Sequence, residues 1–120
     1  MATWADVERI GLTLPGAVLG EAHEGSAAVL AGPQQFARLR WDGPPGHGRE
    51  VLQVWLPDRA LVPTYVADDP DQRWGAPGFS RYVLMVRLSS LDEVGLRELL
   101  VESWAARAPA RLVRANAGLR

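Results

Sequence analysis

Apolar side chains alternate with other side chains along several short stretches of the chain. This period of two restricts the fold to one that contains a sheet. Residues 80–89 give the clearest alternation, and residues 35–41 and 50–56 repeat it. A strand of this kind buries one side and turns the other to solvent, which is typical of antiparallel sheets. A shorter apolar stretch, residues 26–31, predicts a further strand.

Two long helices are predicted near the ends of the chain. Residues 3–14 begin with Thr3, a good N-cap, and repeat apolar residues at helical spacing before a Pro-Gly pair stops the helix. A second helix is predicted to follow Ser90 or Asp92 and to run to about residue 108. Its buried stripe consists of Leu96, Leu99, Leu100, Ser103 and Trp104. Shorter helices are predicted over residues 57–67 and 110–118.

The order of these elements is helix, strands, short helix, strand and helix. This order predicts an α+β fold, a two-layer sandwich in which an antiparallel sheet carries its helices on one face. The other face of such a sheet stays partly open. No linker divides the chain, so residues 1–120 are predicted to form a single domain. The glycine- and proline-rich residues 42–48 predict a hairpin tip, or wing, between two strands.

The composition excludes several classes of function. The 120 residues include no cysteine, and this excludes disulfides, thiolate zinc sites and cysteine nucleophiles. The absence of cysteine also suits a reducing cytoplasm, where we expect the protein to reside. We expect no membrane partner, because no apolar run is long enough to span a bilayer. All 13 basic residues are arginines and oppose 14 acidic ones, for a net charge of −1. This balance argues against strong non-specific binding of nucleic acid but permits a local basic surface.

The sequence shows no catalytic apparatus. The two histidines, His23 and His47, lie in no nucleophile motif, and no phosphate-binding glycine motif is present. Glu21, His23 and Glu24 offer two carboxylates and an imidazole, but their spacing matches no zinc or facial-triad pattern. We therefore predict a non-enzymatic protein with no catalytic residue, no cofactor and no metal.

Arginines on the predicted strands form the candidate binding site. The set predicted to project from the open sheet face consists of Arg38, Arg40, Arg81 and Arg87, with Phe36 and Trp55 among them. Arginine forks with interleaved aromatic rings suit phosphates and stacked bases. The alternative is that these arginines cover exposed strands with their alkyl parts and pair with nearby acids.

The C-terminal segment adds further positive charge. No acidic residue follows Glu102, whereas Arg107, Arg111, Arg114 and Arg120 do. The spacing of three or four residues places the first three of these on one helical face. Cations at the C-terminal end of a helix are also favoured by its dipole, so part of this pattern is structural. We include Arg107 and Arg111 in the candidate site.

Five segments, in order, are similar to the MmcQ/YjbR family. They are TWADVERIGLTLPG (3–16), FARLR (36–40), VLQVWLPD (51–58), RYVLMVRL (81–88) and ELLVESWAARAPARL (98–112). None of them is a catalytic signature, and the resemblance lies in their combination, which covers nearly the whole chain. It implies a CyaY-like α+β fold and a role in DNA binding, with no enzyme activity and no cofactor.

The chain departs from the family pattern near the first predicted turn, where Val29-Leu30 and Pro33-Gln34-Gln35 replace the aromatic and basic residues that are frequent in the family. Two alternatives to DNA binding therefore stay open. One is a protein-interaction or small-ligand module that uses an exposed patch of Phe36, Trp55 and Met85, as a monomer or weak homodimer. The other, suggested by the iron-binding CyaY-type fold, is a metal site at Glu21, His23 and Glu24.

Overall fold

A computed structural model describes residues 1–44 and 47–119, so Pro45 and Gly46 of the predicted wing and the C-terminal Arg120 lie outside the described residues. The strands are β1 (Ala17–Glu21), β2 (Ala27–Ala31), β3 (Gln34–Asp42), β4 (Arg49–Trp55), β5 (Arg73–Ala76) and β6 (Ser80–Arg87). The helices are α1 (Trp4–Gly11), α2 (Leu61–Asp68), α3 (Glu93–Arg107) and α4 (Ala110–Ala115). Short 3₁₀ turns occupy His23–Gly25, Leu88–Ser90 and Ala117–Leu119.

The six strands form one antiparallel sheet in the order β1-β2-β3-β4-β6-β5. The predicted α+β class is therefore confirmed. The edge strand β1 lies in a segment where the sequence pattern predicted no helix or strand. Its consecutive apolar residues Ala17, Val18 and Leu19 do not alternate, because an edge strand need not bury one side: Val18 and Leu19, which point to opposite faces, are both about half exposed.

The main core lies between the sheet and the helices. Leu52 and Val54 of β4 and Leu84 and Val86 of β6 pack in one buried cluster with residues of α1 and α3. Helix α1 is capped by Thr3, which forms a capping box with Asp6, and the helix ends at Gly11 rather than at Leu14. A smaller cluster of Val51, Trp55, Val83 and Met85 lies on the opposite face. In the described part of the chain, no helix is both long and apolar enough to cross a membrane.

Helix α3 is tied to the sheet where two strands separate. The β3–β4 ladder begins at the Arg38–Gln53 pair, and beyond it the strands are joined by Ser103. The hydroxyl of this buried serine accepts from the Trp55 amide (2.9 Å) and donates to the Phe36 carbonyl (2.5 Å). Ser103 thus substitutes for a direct bond between the strands, which fixes the position of the last turn of α3.

The structure corrects the orientation of Phe36. The sequence alternation places it outward with Arg38, but its side chain is fully buried in the helix-side core. The reason is a β-bulge: Val29 pairs with Ala37 whereas Leu30 pairs with Gln35, so Phe36 is an extra residue in β3. Trp55 and Met85 are only 6% and 8% exposed. The predicted exposed patch of Phe36, Trp55 and Met85 is therefore wrong.

Candidate functional site

Three of the predicted arginines share the sheet face opposite α1 and α3, which we call the open face. Arg38 is paired with Gln53, which is paired with Met85, while Arg40 is paired with Val51, which is paired with Arg87. Residues paired across strands point to the same side of a sheet. The register therefore confirms that Arg38, Arg40 and Arg87 project together, although they come from strands far apart in the sequence.

Arg38 is buried rather than available at the surface. Its side chain is 9% exposed, and its Nη2 donates to the His23 carbonyl (3.2 Å) and the Ser26 hydroxyl (3.4 Å). Its Nε has no hydrogen-bond partner among residues 1–44 and 47–119. Burial and the charge of Arg40 lower the pKa of Arg38, while Glu24 raises it. Arg38 thus holds the 3₁₀ turn against the sheet and contributes positive charge from beneath the surface.

Arg40 lies beside Arg38 and is half-buried. Its Nη1 donates to the side-chain oxygen of Gln53 at 3.2 Å. Gln53 is almost fully buried, and its amide nitrogen has no hydrogen-bond partner in the described part of the chain. Within the described residues no carboxylate lies within ion-pair distance of Arg40. The centre of the open face therefore combines two positive charges with polar groups whose hydrogen bonding is incomplete.

Arg87 differs from its neighbours because an acid neutralises it. Its Nε lies 2.8 Å from a carboxylate oxygen of Asp42, and Arg49 approaches the same oxygen at 3.3 Å. Arg87 also donates to the Asp71 carbonyl, and its guanidinium lies over the Trp74 ring, 4.9 Å from the centroid. This ion pair compensates the charge of Arg87, so Arg87 adds less positive charge to the open face than the sequence predicted.

Neutralising Asp42 should change the acid sensitivity of the fold. The hydrogen bond from Arg87 is the main reason that the pKa of Asp42 is lowered. A carboxyl whose pKa is lowered by folding stabilises the protein above its ordinary pKa, and this contribution is lost as the pH falls through the lowered pKa. We expect D42N to lose less unfolding free energy than the wild type between about pH 5 and pH 2, measured by urea unfolding. D68N, at an exposed aspartate without an ion pair, is the matched control, and equal losses in D42N and wild type would contradict the assignment.

Arg107 reaches the open face from the last turn of α3. Its Nε donates to the Gln35 carbonyl at 2.9 Å, and its guanidinium lies 4.3 Å from the centroid of the Trp55 ring. Desolvation lowers the pKa of Arg107, and no described carboxylate pairs with it. The cation thus covers Trp55 and lines a cavity of about 300 Å³ together with Ser80 and Tyr82.

Arg81 and Arg111 are both exposed. Arg81 lines a cavity formed with α2, and Arg111 is on α4. Among the described residues, every ion pair involves Arg9, Arg49 or Arg87. The predicted site residues without a carboxylate partner are therefore Arg38, Arg40, Arg81, Arg107 and Arg111. Their lack of partners could not be read from the sequence, because ion pairs such as Arg87–Asp42 join distant segments.

The proposed metal ligands do not assemble. Within residues 1–44 and 47–119, no group of three histidine or acidic side chains is placed to hold a metal ion. Glu21 ends β1, whereas His23 and Glu24 form the adjacent 3₁₀ turn, whose main-chain carbonyl is used by Arg38. The described geometry therefore does not support a metal centre at Glu21, His23 and Glu24.

The chain is similar to proteins from mycobacteria. It is 30% identical over 124 aligned positions to Uncharacterized protein Rv2570 of Mycobacterium tuberculosis (strain ATCC 25618 / H37Rv), with 96% of this chain and 95% of the relative aligned. The same values hold for Uncharacterized protein Mb2600 of Mycobacterium bovis. No protein-family model matches the chain, and no solved structure matches it significantly.

Proposed function

Because the chain belongs to the same family as the uncharacterized mycobacterial proteins Rv2570 and Mb2600, whose names state no activity, we propose a function from its own residues. The protein is a non-enzymatic module of the MmcQ/YjbR type that binds DNA in the cytoplasm, as a monomer or weak homodimer. Arginines of the open face and of the C-terminal helices hold the phosphate backbone.

The observation that carries this proposal is the separation of paired from unpaired arginines. Asp42 neutralises Arg87 and Arg49 at one end of the open face. Arg40 and Arg107, towards its centre and other end, have no carboxylate partner among the described residues. Partly buried charges are normally paired, since removing an ion from water is costly. An anion bound from outside would supply the missing partner.

The two tryptophans of the open face are covered by cations. Exposed aromatic rings are the usual platform for bases, but Trp55 lies under Arg107 and Trp74 under Arg87, whereas Tyr82 beside Arg107 is exposed. The planar guanidinium of Arg107, held by Trp55 and Gln35, is well oriented for the oxygen atoms of a phosphate. Because the chain carries a net charge of −1, we expect modest affinity that decreases with salt.

Neutralising two of the unpaired arginines tests the proposal. We expect R40Q/R107Q to bind a labelled duplex at least about tenfold more weakly than the wild type, a loss of about 1.4 kcal/mol, in fluorescence anisotropy at low salt. The logarithm of the association constant falls as the logarithm of salt concentration rises, and this slope should become less steep by about two, because two phosphate contacts are lost.

Two further variants make this test specific. R9Q/R49Q removes the same charge from arginines that already have carboxylate partners and should change the affinity less. D42N releases Arg87 and Arg49 from their carboxylate and should tighten binding. If R40Q/R107Q remains folded but binds DNA as the wild type does, the proposed site is refuted.

A further inference from the structure

A cavity of about 520 Å³ lies between α2 and the β5–β6 hairpin, at the β5 edge of the sheet. Its volume falls within the range of roughly 300–1,000 Å³ that is typical of small-molecule sites. The aliphatic residues of its wall are Val62, Pro63, Val66, Ala76, Pro77 and Val83. The cavity is thus lined mainly by hydrocarbon, with the Ser80 hydroxyl as a polar group.

The absence of a side chain at Gly75 contributes to the space. Gly75 faces α2, and a Cβ added there would lie only 3.3 Å from a methyl group of Val62. Val62 itself belongs to the main core, so that part of the wall rests on packed structure. A larger residue at position 75 would fill the cavity where α2 and β5 approach each other.

Arg59 and Arg81 supply positive charge at this apolar cavity. Both line it and both are exposed, which is expected of arginines whose alkyl parts cover apolar surface while the charged groups stay in water. Neither is in an ion pair with a described carboxylate. The site therefore presents two unpaired guanidinium groups beside a hydrocarbon-lined space.

We propose that this cavity binds a medium-chain aliphatic carboxylate. The alkyl chain lies against the valine and proline side chains, and the carboxylate lies between Arg59 and Arg81, whose planar donor groups match its two oxygens. The described wall contains no aromatic ring against which a nucleobase would stack. The inference goes beyond DNA binding, and only Arg81 belongs to both sites.

Burial of the alkyl chain predicts how affinity varies with ligand length. Each methylene transferred from water to an apolar site contributes about 0.8 kcal/mol of binding free energy, which lowers the dissociation constant about fourfold. We therefore expect binding to tighten from hexanoate to octanoate to decanoate. In ¹H–¹⁵N NMR titrations below the micelle concentration, the amides of Val66, Gly75 and Ala76 should shift. Absence of shifts at these amides, or shifts confined to the open face, would overturn the proposal.

Charge recognition is tested by a neutral ligand of the same length. R59Q/R81Q should bind octanoate at least about fivefold more weakly, whereas its binding of 1-octanol should stay as in the wild type. R114Q, which alters an exposed arginine of α4, is the matched control. Equal octanoate affinity in R59Q/R81Q and wild type would exclude the carboxylate clamp.

R59Q alone should leave DNA affinity unchanged and R40Q should leave octanoate affinity unchanged, so that failure of either proposal is recognised separately.

Discussion

Replacing Ser103 by alanine is expected to lower the free energy of unfolding by about 2–6 kcal/mol. The alanine removes only the hydroxyl that accepts from the Trp55 amide and donates to the Phe36 carbonyl. Both main-chain groups would then be buried without partners, at about 1–3 kcal/mol each. Such a loss is a large part of the total stability of a small domain, which is about 5–15 kcal/mol. Urea unfolding followed by circular dichroism measures it.

The control for this variant is S90A. The Ser90 hydroxyl donates to the Arg87 carbonyl, but the residue is only partly buried, so water can replace the hydroxyl and the loss should stay below about 1 kcal/mol. Because Arg107 lies one turn after Ser103, a folded S103A protein should also bind DNA more weakly. If S103A and S90A were equally stable, Ser103 would not be the connection between α3 and the separated strands.

Trp104→Ala is expected to destabilise the fold by about 3–5 kcal/mol. Trp104 is fully buried in the main core, and its indole nitrogen donates to the Pro15 carbonyl at 2.9 Å. The substitution therefore creates a cavity and also leaves that carbonyl without its partner. Thermal and urea unfolding measure the change in stability.

Trp104→Phe separates the two contributions. This variant retains most of the apolar volume but loses the indole donor, so its loss should be clearly smaller than that of the alanine variant. Trp74→Ala, at a half-buried ring under Arg87, should also cost less. Equal stability of Trp104→Ala and wild type would contradict the packing of α3 on the sheet.

The sequence predicted the fold well where local patterns decide the structure. The alternation over residues 80–89 and the apolar stripe from Leu96 to Trp104 both correspond to observed elements, β6 and α3. Local patterns could not reveal the bulge that turns Phe36 into the core, because it arises from the pairing of β2 with β3. They also could not reveal β1, whose apolar residues are exposed on both sides at the sheet edge.

The candidate site was predictable in position but not in its charge balance. Alternation correctly placed Arg38, Arg40 and Arg87 on one face, since strand geometry alone fixes that property. The neutralisation of Arg87 depends on Asp42, which is 45 residues away, and the orientation of Arg107 depends on Gln35 and Trp55. These contacts exist only after the strands have paired and α3 has packed. Once these contacts are known, the predicted DNA site is reduced to the arginines that have no described carboxylate partner.

The salt dependence of DNA binding tests the central claim most directly, because counterions are released only if the unpaired arginines contact phosphates. Of the predicted site residues, those at the surface and without a described carboxylate partner are Arg40, Arg81, Arg107 and Arg111. With about 0.9 released ions per neutralised phosphate, the logarithm of the association constant of the wild-type protein for a duplex should fall against the logarithm of salt concentration with a slope of about −3 to −4. A slope near zero, or no detectable binding at low salt, would contradict the claim that these arginines form a surface for DNA.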